Sequence, residues 1–581
     1  SRAQSRSPSA AHKASLLCGR DLLRALRHVN ALRAVLMDAK TYLSAHDVEE
    51  QLAAAVERVL NDRPANPLAA IAAALLGTAG ETVAATPAAA ADQAEFTIIG
   101  AGLIGALLAT VLQAKGYSVV IYERFEDIRA THPAGGGRSI NLVATARGLR
   151  ALDVLPTDVK EGLLALGTKV TGRMIHTAET ADADEPIFQR YGKDDSEFNY
   201  SVSRLELNKY LLTQAERSGV QVHFTHKLVD LDLSGEYATV TFETPAGSTK
   251  VVRCTGPLVA ADGGGSAVRA AMRDAGVCSF STERIDSGYK EMTFPKEAAE
   301  AVGLARHGLH IWPRGDHMMM GLANLDGSFT GTIYMTNEGS PNSFRTIDEG
   351  GVATARAFLE KHYAAALPAL GGADAAAEQL TANTLGFLGT VRTADWAVGA
   401  KVVLIGDAAH AIVPFFGQGM NCGFEDVKEF VELLGKHAPP KSSSAAYAEA
   451  FSAFGEARRP NANAIADMAL ENYVEMQSST ADPEFRMRKA VENALENSPL
   501  GSRFRSRYAM VCYGGAGKVS YSAAQQLGRV QWEIVCELAK SVSSVERAAD
   551  ELDLSKAAAL LDERLEPLKA KLGVDLTTVA H

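Results

Sequence analysis

Phe96-Thr97-Ile98-Ile99-Gly100-Ala101-Gly102-Leu103-Ile104-Gly105 is the stretch that decides how this chain folds. The run before Gly100 is β-branched and aromatic and predicts a strand. A helical pattern follows to Lys115-Gly116, and Ser118-Val119-Val120-Ile121-Tyr122 predicts a second strand with Glu123 at its end. Strand, GxGxxG, helix, strand, acid is the order of a βαβ dinucleotide-binding unit. Gly100 allows the tight turn, Gly102 lets a pyrophosphate approach the helix N-terminus, and Gly105 permits close helix-to-strand contact. Glu123, 23 positions after Gly100, is suited to accept hydrogen bonds from both ribose hydroxyls. These residues imply an adenine dinucleotide and by themselves leave FAD and NAD both open.

Two later stretches decide between them. Val402-Val403-Leu404-Ile405 predicts a buried strand, and Gly406-Asp407-Ala408-Ala409-His410 follows at its end, where the Asp407 carboxylate can accept a hydrogen bond from a ribityl hydroxyl. Pro414-Phe415-Phe416-Gly417-Gln418-Gly419-Met420-Asn421 then opens a helix. Gly-Gln-Gly at a helix start offers unpaired N–H groups and the positive end of the dipole, suited to the negative charge of a reduced flavin. A third strand-end pair, Asp262-Gly263, ends Val259-Ala260-Ala261 and is followed by Ser266 and Arg269. The three motifs in this order point to FAD. His410 beside Asp407 is expected to be a packed histidine rather than a base, and no residue is expected to act as a catalytic acid or base or to bind a metal.

Composition sets outer limits. The 581 residues suffice for several domains, and 47% apolar with 22% charged residues belongs to a folded chain. A net charge of −11 disfavours general nucleic-acid binding. The longest apolar runs, Pro67 to Leu76 and Tyr117 to Tyr122, fall short of the roughly 18 residues that cross a bilayer. Cys18, Cys254, Cys278, Cys422, Cys512 and Cys536 show no CxxC or Cys/His spacing, which favours a reducing compartment and disfavours a zinc site.

Residues 1–40 are basic, a bias compatible with a transit peptide. Residues 41–77 predict two short amphipathic helices: Val48, Leu52, Val56, Val59 and Leu60 form one stripe and Leu68, Ile71 and Leu75 the other, with a turn at Asp62-Arg63-Pro64-Ala65. Thr41-Tyr42-Leu43, the first helix and Arg63-Pro64-Ala65-Asn66-Pro67-Leu68 resemble the docking-and-dimerisation module of cyclic-AMP-dependent kinase regulatory subunits, in the variant of the histone-methyltransferase core complex. The resemblance implies a homodimer that docks an amphipathic helix of another protein. Residues 78–95 read as a low-complexity linker.

From residue 96 to about 515 the chain resembles the single-component, FAD-dependent aromatic hydroxylases, through GxGxxG, Asp262 to Arg269 and Gly406 to His410. Within them it is similar to the kynurenine 3-monooxygenases, through Gly137-Arg138-Ser139-Ile140-Asn141-Leu142, Arg173-Met174-Ile175-His176, Ser201-Val202-Ser203-Arg204, His310-Ile311-Trp312-Pro313-Arg314, Gly406 to Asn421 and Asn472-Tyr473-Val474-Glu475-Met476. The resemblance implies an α/β fold: a Rossmann-like FAD-binding domain (96–170, 201–280 and 390–440), an interleaved β-sheet substrate domain (171–200 and 281–389) and a C-terminal helical region (441–581), beside the small N-terminal all-α hairpin. Gly288 to Met335 and the strands around Arg173 would form the substrate sheet, with helices from Lys428 to Val535 closing the far side.

It further implies FAD contacts for Ile104, Glu123, Arg124, Arg204, Leu228, Asp407, Met420 and Asn421, beside the Gly100, Gly102, Gly105, Asp262, Pro414, Gly417 and Gly419 already singled out. The family has an arginine two positions after the ribose-binding acid, where this chain has Phe125. Arg173 and Tyr191 are placed on the amino-acid carboxylate of L-kynurenine, and Asn472 and Tyr508 complete the pocket. NADPH would act as co-substrate, reducing FAD and leaving; O₂ would then form a flavin C4a-hydroperoxide that hydroxylates the ring to 3-hydroxykynurenine. Another aromatic hydroxylase, or a scaffold protein retaining this fold, are the competing readings; a halogenase is disfavoured because Trp312, Trp396 and Trp532 form no W-x-W pair. Animal members of the family carry a C-terminal hydrophobic anchor, whereas Leu552 to His581 is amphipathic and charged. A soluble, cytoplasmic placement is therefore expected, with the mitochondrion as alternative.

Overall fold

Ile98, Ile121, Val259 and Val403 stand in short β-branched runs, the composition of strands covered on both faces of a parallel sheet. The computed structural model describes residues 94–130, 140–177, 186–191, 197–245, 247–478, 482–514 and 518–579. In it those runs are neighbours in a six-stranded sheet of order Ala397–Val398, Val402–Leu404, Leu258–Ala260, Phe96–Ile99, Val119–Tyr122, Gln221–His223. All pairings are parallel except that of Ala397–Val398 with its neighbour. Ile99 is level with both Tyr122 and Ala260, and Ala260 with Leu404, so Gly100, Glu123, Asp262 and Asp407 all leave the sheet at the same end. Helix Leu103–Ala114, buried along most of its length, packs against helices Arg204–Arg217 and Gly419–His437.

A second, seven-stranded sheet has the order Gly386–Thr393, Phe280–Phe294, Phe329–Thr336, Met318–Ala323, Gly308–Pro313, Gly172–Ile175, Ile187–Arg190. Strand alternation divides its side chains between two cores. Ile333, Met335, Met319 and Trp312 pack beneath helices Phe344–Tyr363 and Ala373–Ala382. Tyr289, Tyr334 and Met318 face the other way, into the core of the C-terminal helices Ser444–Ser478, Pro483–Glu496, Arg507–Tyr513 and Tyr521–Ala539. The sheet begins at Phe280, earlier than the Gly288 read from the sequence. Phe280 to Arg284 continue the pairing with Gly386–Thr393 across a register irregularity, which no local pattern announces. Two small antiparallel sheets, Asn141–Ala144 with Asn199–Ser203 and Gly167–Val170, and Lys227–Asp232 with Thr239–Glu243 and Thr249–Arg253, complete the mixed α/β fold.

The basic segment 1–40, the helical module 41–77, nearly all of the linker 78–95, and Arg138 and Ser139 lie outside the described residues. Among the described residues, no helix is long and apolar enough to cross a membrane.

Helix Gly419–His437 carries two adjacent buried acids. Glu425 accepts from Arg147 (2.8 Å) and Arg458 (2.8 Å); Asp426 accepts from Arg458 Nε (2.7 Å) and the Gly406 amide (3.1 Å) and meets His410 Nε2 at 2.6 Å. His410 also stacks on Trp396, 5.1 Å between centroids, and is packed and paired. Burial pushes the Asp426 carboxyl up, but His410 and Arg458 outweigh it and hold it below its ordinary range. Arg458→Met should therefore cost about 3–5 kcal/mol, because it takes from two buried acids the cation they share and leaves Glu425 with Arg147 and Asp426 with His410 alone. A denaturant midpoint close to wild type would show that the cluster is dispensable. The stabilisation from a depressed carboxylate is complete above its unfolded pKa and is lost as pH falls through the folded one. The gap between the two proteins should thus begin to close below about pH 4.

Candidate active site

The Gly-rich turn is built by close approach. Gly100 has φ +102°, and a Cβ there would stand 2.6 Å from the Ala261 carbonyl oxygen; a Cβ on Gly105 would collide with the Gly100 carbonyl. Gly102, the N-cap of helix Leu103–Ala114, faces open space, which leaves its N-terminus free for an anion. Glu123 closes the turn: its Oε2 accepts from the Ala101 amide (2.7 Å) and its Oε1 from the Phe125 amide (2.9 Å). Asn208, which no motif marks, donates to the Ala101 carbonyl (2.9 Å) from helix Arg204–Arg217. Only the packing of that helix brings it there.

The other motifs converge on the same end of the sheet. Asp262 Oδ2 accepts from the Ala267 (2.7 Å) and Val268 (3.2 Å) amides at the start of a helix, and burial pushes its carboxyl up. Arg269 joins this motif to Gly406–His410, donating to the carbonyls of Gly264 and Ala408, both at 2.6 Å. Asp407 leaves its carboxylate exposed. Ile104 packs between the Gly-rich turn and Gly406 and Gly423. The segment leading to the buried Leu228 runs beside Glu123, whose carbonyl accepts from the His226 amide (2.8 Å). Half-buried Arg204 opens its helix, and Arg124 stands exposed at the mouth with its guanidinium 4.5 Å above the Phe125 ring.

Pro414–Phe416 form one turn of 3₁₀ helix, Gly417 ends it, and helix Gly419–His437 begins with no acid in its first turn. Met420 is buried. Asn421 spends its side-chain amide on the protein: Oδ1 accepts from the Thr145 amide (2.9 Å), and Nδ2 donates to the carbonyls of Val143 (2.8 Å) and Gly417 (2.9 Å). A cofactor would meet Asn421 through its backbone. These residues fit FAD: an uncovered helix start beside a turn too tight for side chains, an acid at the end of strand Val119–Tyr122, an exposed acid after strand Val402–Leu404, and a second free helix N-terminus for the isoalloxazine.

The substrate residues meet against that second helix. Arg173 lies with its guanidinium 5.0 Å from the ring of Tyr508 and 5.7 Å from that of Tyr191, and the two rings stack 5.7 Å apart. Tyr508 stacks in turn on Phe416 at 5.9 Å. Burial pushes the Tyr191 hydroxyl up to about 12 and that of Tyr508 well above its ordinary value, so both are neutral phenols. Asn472 donates to the Phe415 carbonyl (2.8 Å). Among the described residues no carboxylate pairs with Arg173. Glu475, which acts on it through space, is engaged by Lys489 (3.5 Å) and Arg507 (3.8 Å).

Pro414 to Phe416 are expected to wall the ring cavity, and the residues that extend this wall around Phe415 were not read from the sequence. The Phe415 ring sits between Tyr334 (5.4 Å) and Tyr473 (4.5 Å), and the Tyr473 hydroxyl meets Ser287 Oγ at 2.6 Å. Tyr334, Tyr473, Met318 and Ser287 line an open recess together with Pro313, Arg314 and His317. Two-residue alternation in strands Met318–Ala323 and Phe329–Thr336 was the available signal for Met318 and Tyr334, but it does not say which face looks toward a cofactor.

An FAD-binding scaffold with an aromatic cluster at the start of the second helix defines a flavin-dependent monooxygenase, and comparison with known proteins agrees. The FAD binding domain family matches residues 93–469. Solved structures similar in fold include 2-methyl-3-hydroxypyridine-5-carboxylic acid oxygenase, at TM-score 0.51 and 18% identity over 67% of this chain and 94% of that one. P. aeruginosa PqsL in complex with 2-aminobenzoylacetate has TM-score 0.52 and 16% identity over 67% of this chain and 98% of that one. Kynurenine 3-monooxygenase of Myxococcus xanthus is 39% identical over 81% of this chain and 95% of its own length; that of Stenotrophomonas maltophilia is 40% identical over 72% and 87%. The chain belongs to the kynurenine 3-monooxygenase family.

Gly100→Ala should place a methyl group against the Ala261 carbonyl and force a side chain into left-handed backbone, at a cost of about 1–2 kcal/mol for the backbone alone. The visible flavin absorbance per purified chain should fall severalfold. Undiminished absorbance would mean that the turn tolerates a Cβ.

Proposed function

We propose that this chain is an NADPH- and FAD-dependent monooxygenase that converts L-kynurenine to 3-hydroxykynurenine, a reading supported by the name kynurenine 3-monooxygenase of its relatives in M. xanthus and S. maltophilia. The observation that carries the substrate assignment is Arg173: a guanidinium beside two stacked, neutral tyrosine rings, without an acidic partner among the described residues, with Tyr508 stacked in turn on Phe416. Such a group suits an α-carboxylate, which a guanidinium grips with two parallel hydrogen bonds.

Bound FAD supplies the redox chemistry, taking reducing equivalents from NADPH and activating O₂. The chain's own residues bind, orient and exclude water. In this reading Gly100, Gly102, Gly105, Ile104, Glu123, Arg124, Arg204, Leu228 and Asp262 hold the adenosine and pyrophosphate portion. Asp407 holds the ribityl chain, and Pro414, Gly417, Gly419, Met420 and the backbone of Asn421 receive the isoalloxazine. The helix N-terminus there stabilises negative charge on the reduced ring. Arg173 and Tyr191 fix the substrate's amino-acid end, Tyr508 flanks them, Asn472 pins the loop at Phe415, and Phe415, Tyr334 and Met318 keep water from the reacting ring. Residues 96–170, 201–280 and 390–440 serve as the FAD-binding part, 171–200 and 281–389 as the substrate part, and 441–581 as the covering helices.

Arg173→Lys keeps the charge and loses the bidentate grip. It should raise KM for kynurenine by the equivalent of about 1.5–3 kcal/mol, with FAD per chain unchanged. An unaltered KM would remove Arg173 from the carboxylate, and a stronger response of NADPH oxidation to a benzoate in a substrate panel would favour another aromatic hydroxylase.

The same reading assigns pairing of two copies, and docking of a partner's amphipathic helix, to residues 41–77, with the chain in the cytoplasm or alternatively the mitochondrion. Removing residues 1–90 should halve the mass in solution and leave kynurenine turnover intact. A full-length chain that is already monomeric by light scattering would refute the pairing.

A further inference from the structure

Helix Arg507–Tyr513 carries Tyr508, and seven residues are too few for a helix to hold itself in water. Its carbonyls from Val511 on have no partner inside the helix, and that of Met510 has the Gly514 amide that closes it (3.1 Å). Two arginines of helix Ala146–Ala151 take them. Arg147 donates from Nε to Val511 (2.7 Å) and from Nη2 to Met510 (3.1 Å) and Val519 (2.7 Å); Arg150 donates to Tyr513 (2.7 Å). Cations are also favoured at this end by the helix dipole.

The same Arg147 guanidinium serves the cofactor side. Its Nη1 donates to Glu425 on helix Gly419–His437 (2.8 Å). Its plane lies 3.9 Å from the centre of the Tyr521 ring, whose hydroxyl donates to Gln418 Oε1 (2.9 Å) in the Gly-Gln-Gly turn. Arg147 is fully buried, and three carbonyls, a carboxylate and a ring share its one planar group. A lysine has no geometry to satisfy that set.

We propose that Arg147 is the positioning residue that fixes Tyr508 relative to the Gly417–Gly419 turn, so that the substrate wall and the start of the flavin helix hold one spacing. The inference rests on the kynurenine reading of the pocket for its catalytic consequence, and on geometry alone for its hold on the Tyr508 helix.

The test uses the full-length holoenzyme with Arg147→Lys and Arg147→Met. In both, KM for kynurenine should rise roughly 10- to 100-fold and hydroxylated product per NADPH consumed should fall, with FAD per chain unchanged. A role confined to stability would lower the melting temperature and leave KM and coupling alone. Cys512, fully buried and one turn beyond Tyr508, supplies a readout independent of substrate: its alkylation by iodoacetamide, followed by peptide mass, should be about tenfold faster than in wild type. Unchanged KM and coupling, or unchanged Cys512 labelling, in variants that retain FAD would overturn the proposal. Should the Met variant lose its flavin, the Lys variant decides. A wild-type chain that does not turn over kynurenine would sink the functional reading instead, and Cys512 labelling would still decide whether Arg147 holds the helix.

Discussion

Glu425 and Asp426 stand next to each other inside the protein, and two adjacent carboxylates are tolerable there only if cations meet them. Arg147, Arg458 and His410 do so, and each comes from a different element. Arg458 arrives from the long helix Ser444–Ser478, His410 from the turn after strand Val402–Leu404, and Arg147 from the helix after Asn141–Ala144. Removing either acid leaves a buried cation, and removing a cation leaves a buried acid, so the elements are held as a set. The set surrounds the helix whose free N-terminus faces the cofactor region, which makes this cluster the constraint on which the site's geometry depends.

The two sheets contribute differently. The parallel sheet brings four strand ends to one place, and its chemistry sits where those strands stop. The seven-stranded sheet contributes a face: Tyr334 and Met318 look toward the Pro414–Gly419 loop while Ile333 and Met319 fill a separate core on the other side. A single shift of register would exchange the two sets. The eight paired positions from Ser287 to Phe294 against Phe329–Thr336 hold that register.

Much of this was legible in the amino-acid order because the informative pieces are local. A glycine that must turn, a strand that must be buried and an acid that must end a strand lie within one supersecondary unit, and backbone physics dictates their type. Arg173 and Tyr508 stood out through resemblance, and the fold brings them into one stack with Tyr191. Asn472 was read as a pocket residue, and its amide is found on the carbonyl of Phe415. Asn208 and Arg147 carried no signal, and Tyr473 stood in the motif of Asn472 without a role of its own. Each acts on a residue more than a hundred positions away, and an asparagine, tyrosine or arginine on a helix looks the same in sequence whether it meets water or a carbonyl.

By itself the sequence determined the βαβ unit, the order of the three motifs and hence an FAD-binding α/β fold, because steric demands at glycine and the burial of β-branched runs are properties of short segments. Only the tertiary structure decided which side chains share a cavity, which acids are neutralised and which face of the second sheet looks inward. Those are questions of long-range packing, where hydrogen-bond partners and burial are set by elements that meet only after the chain has folded.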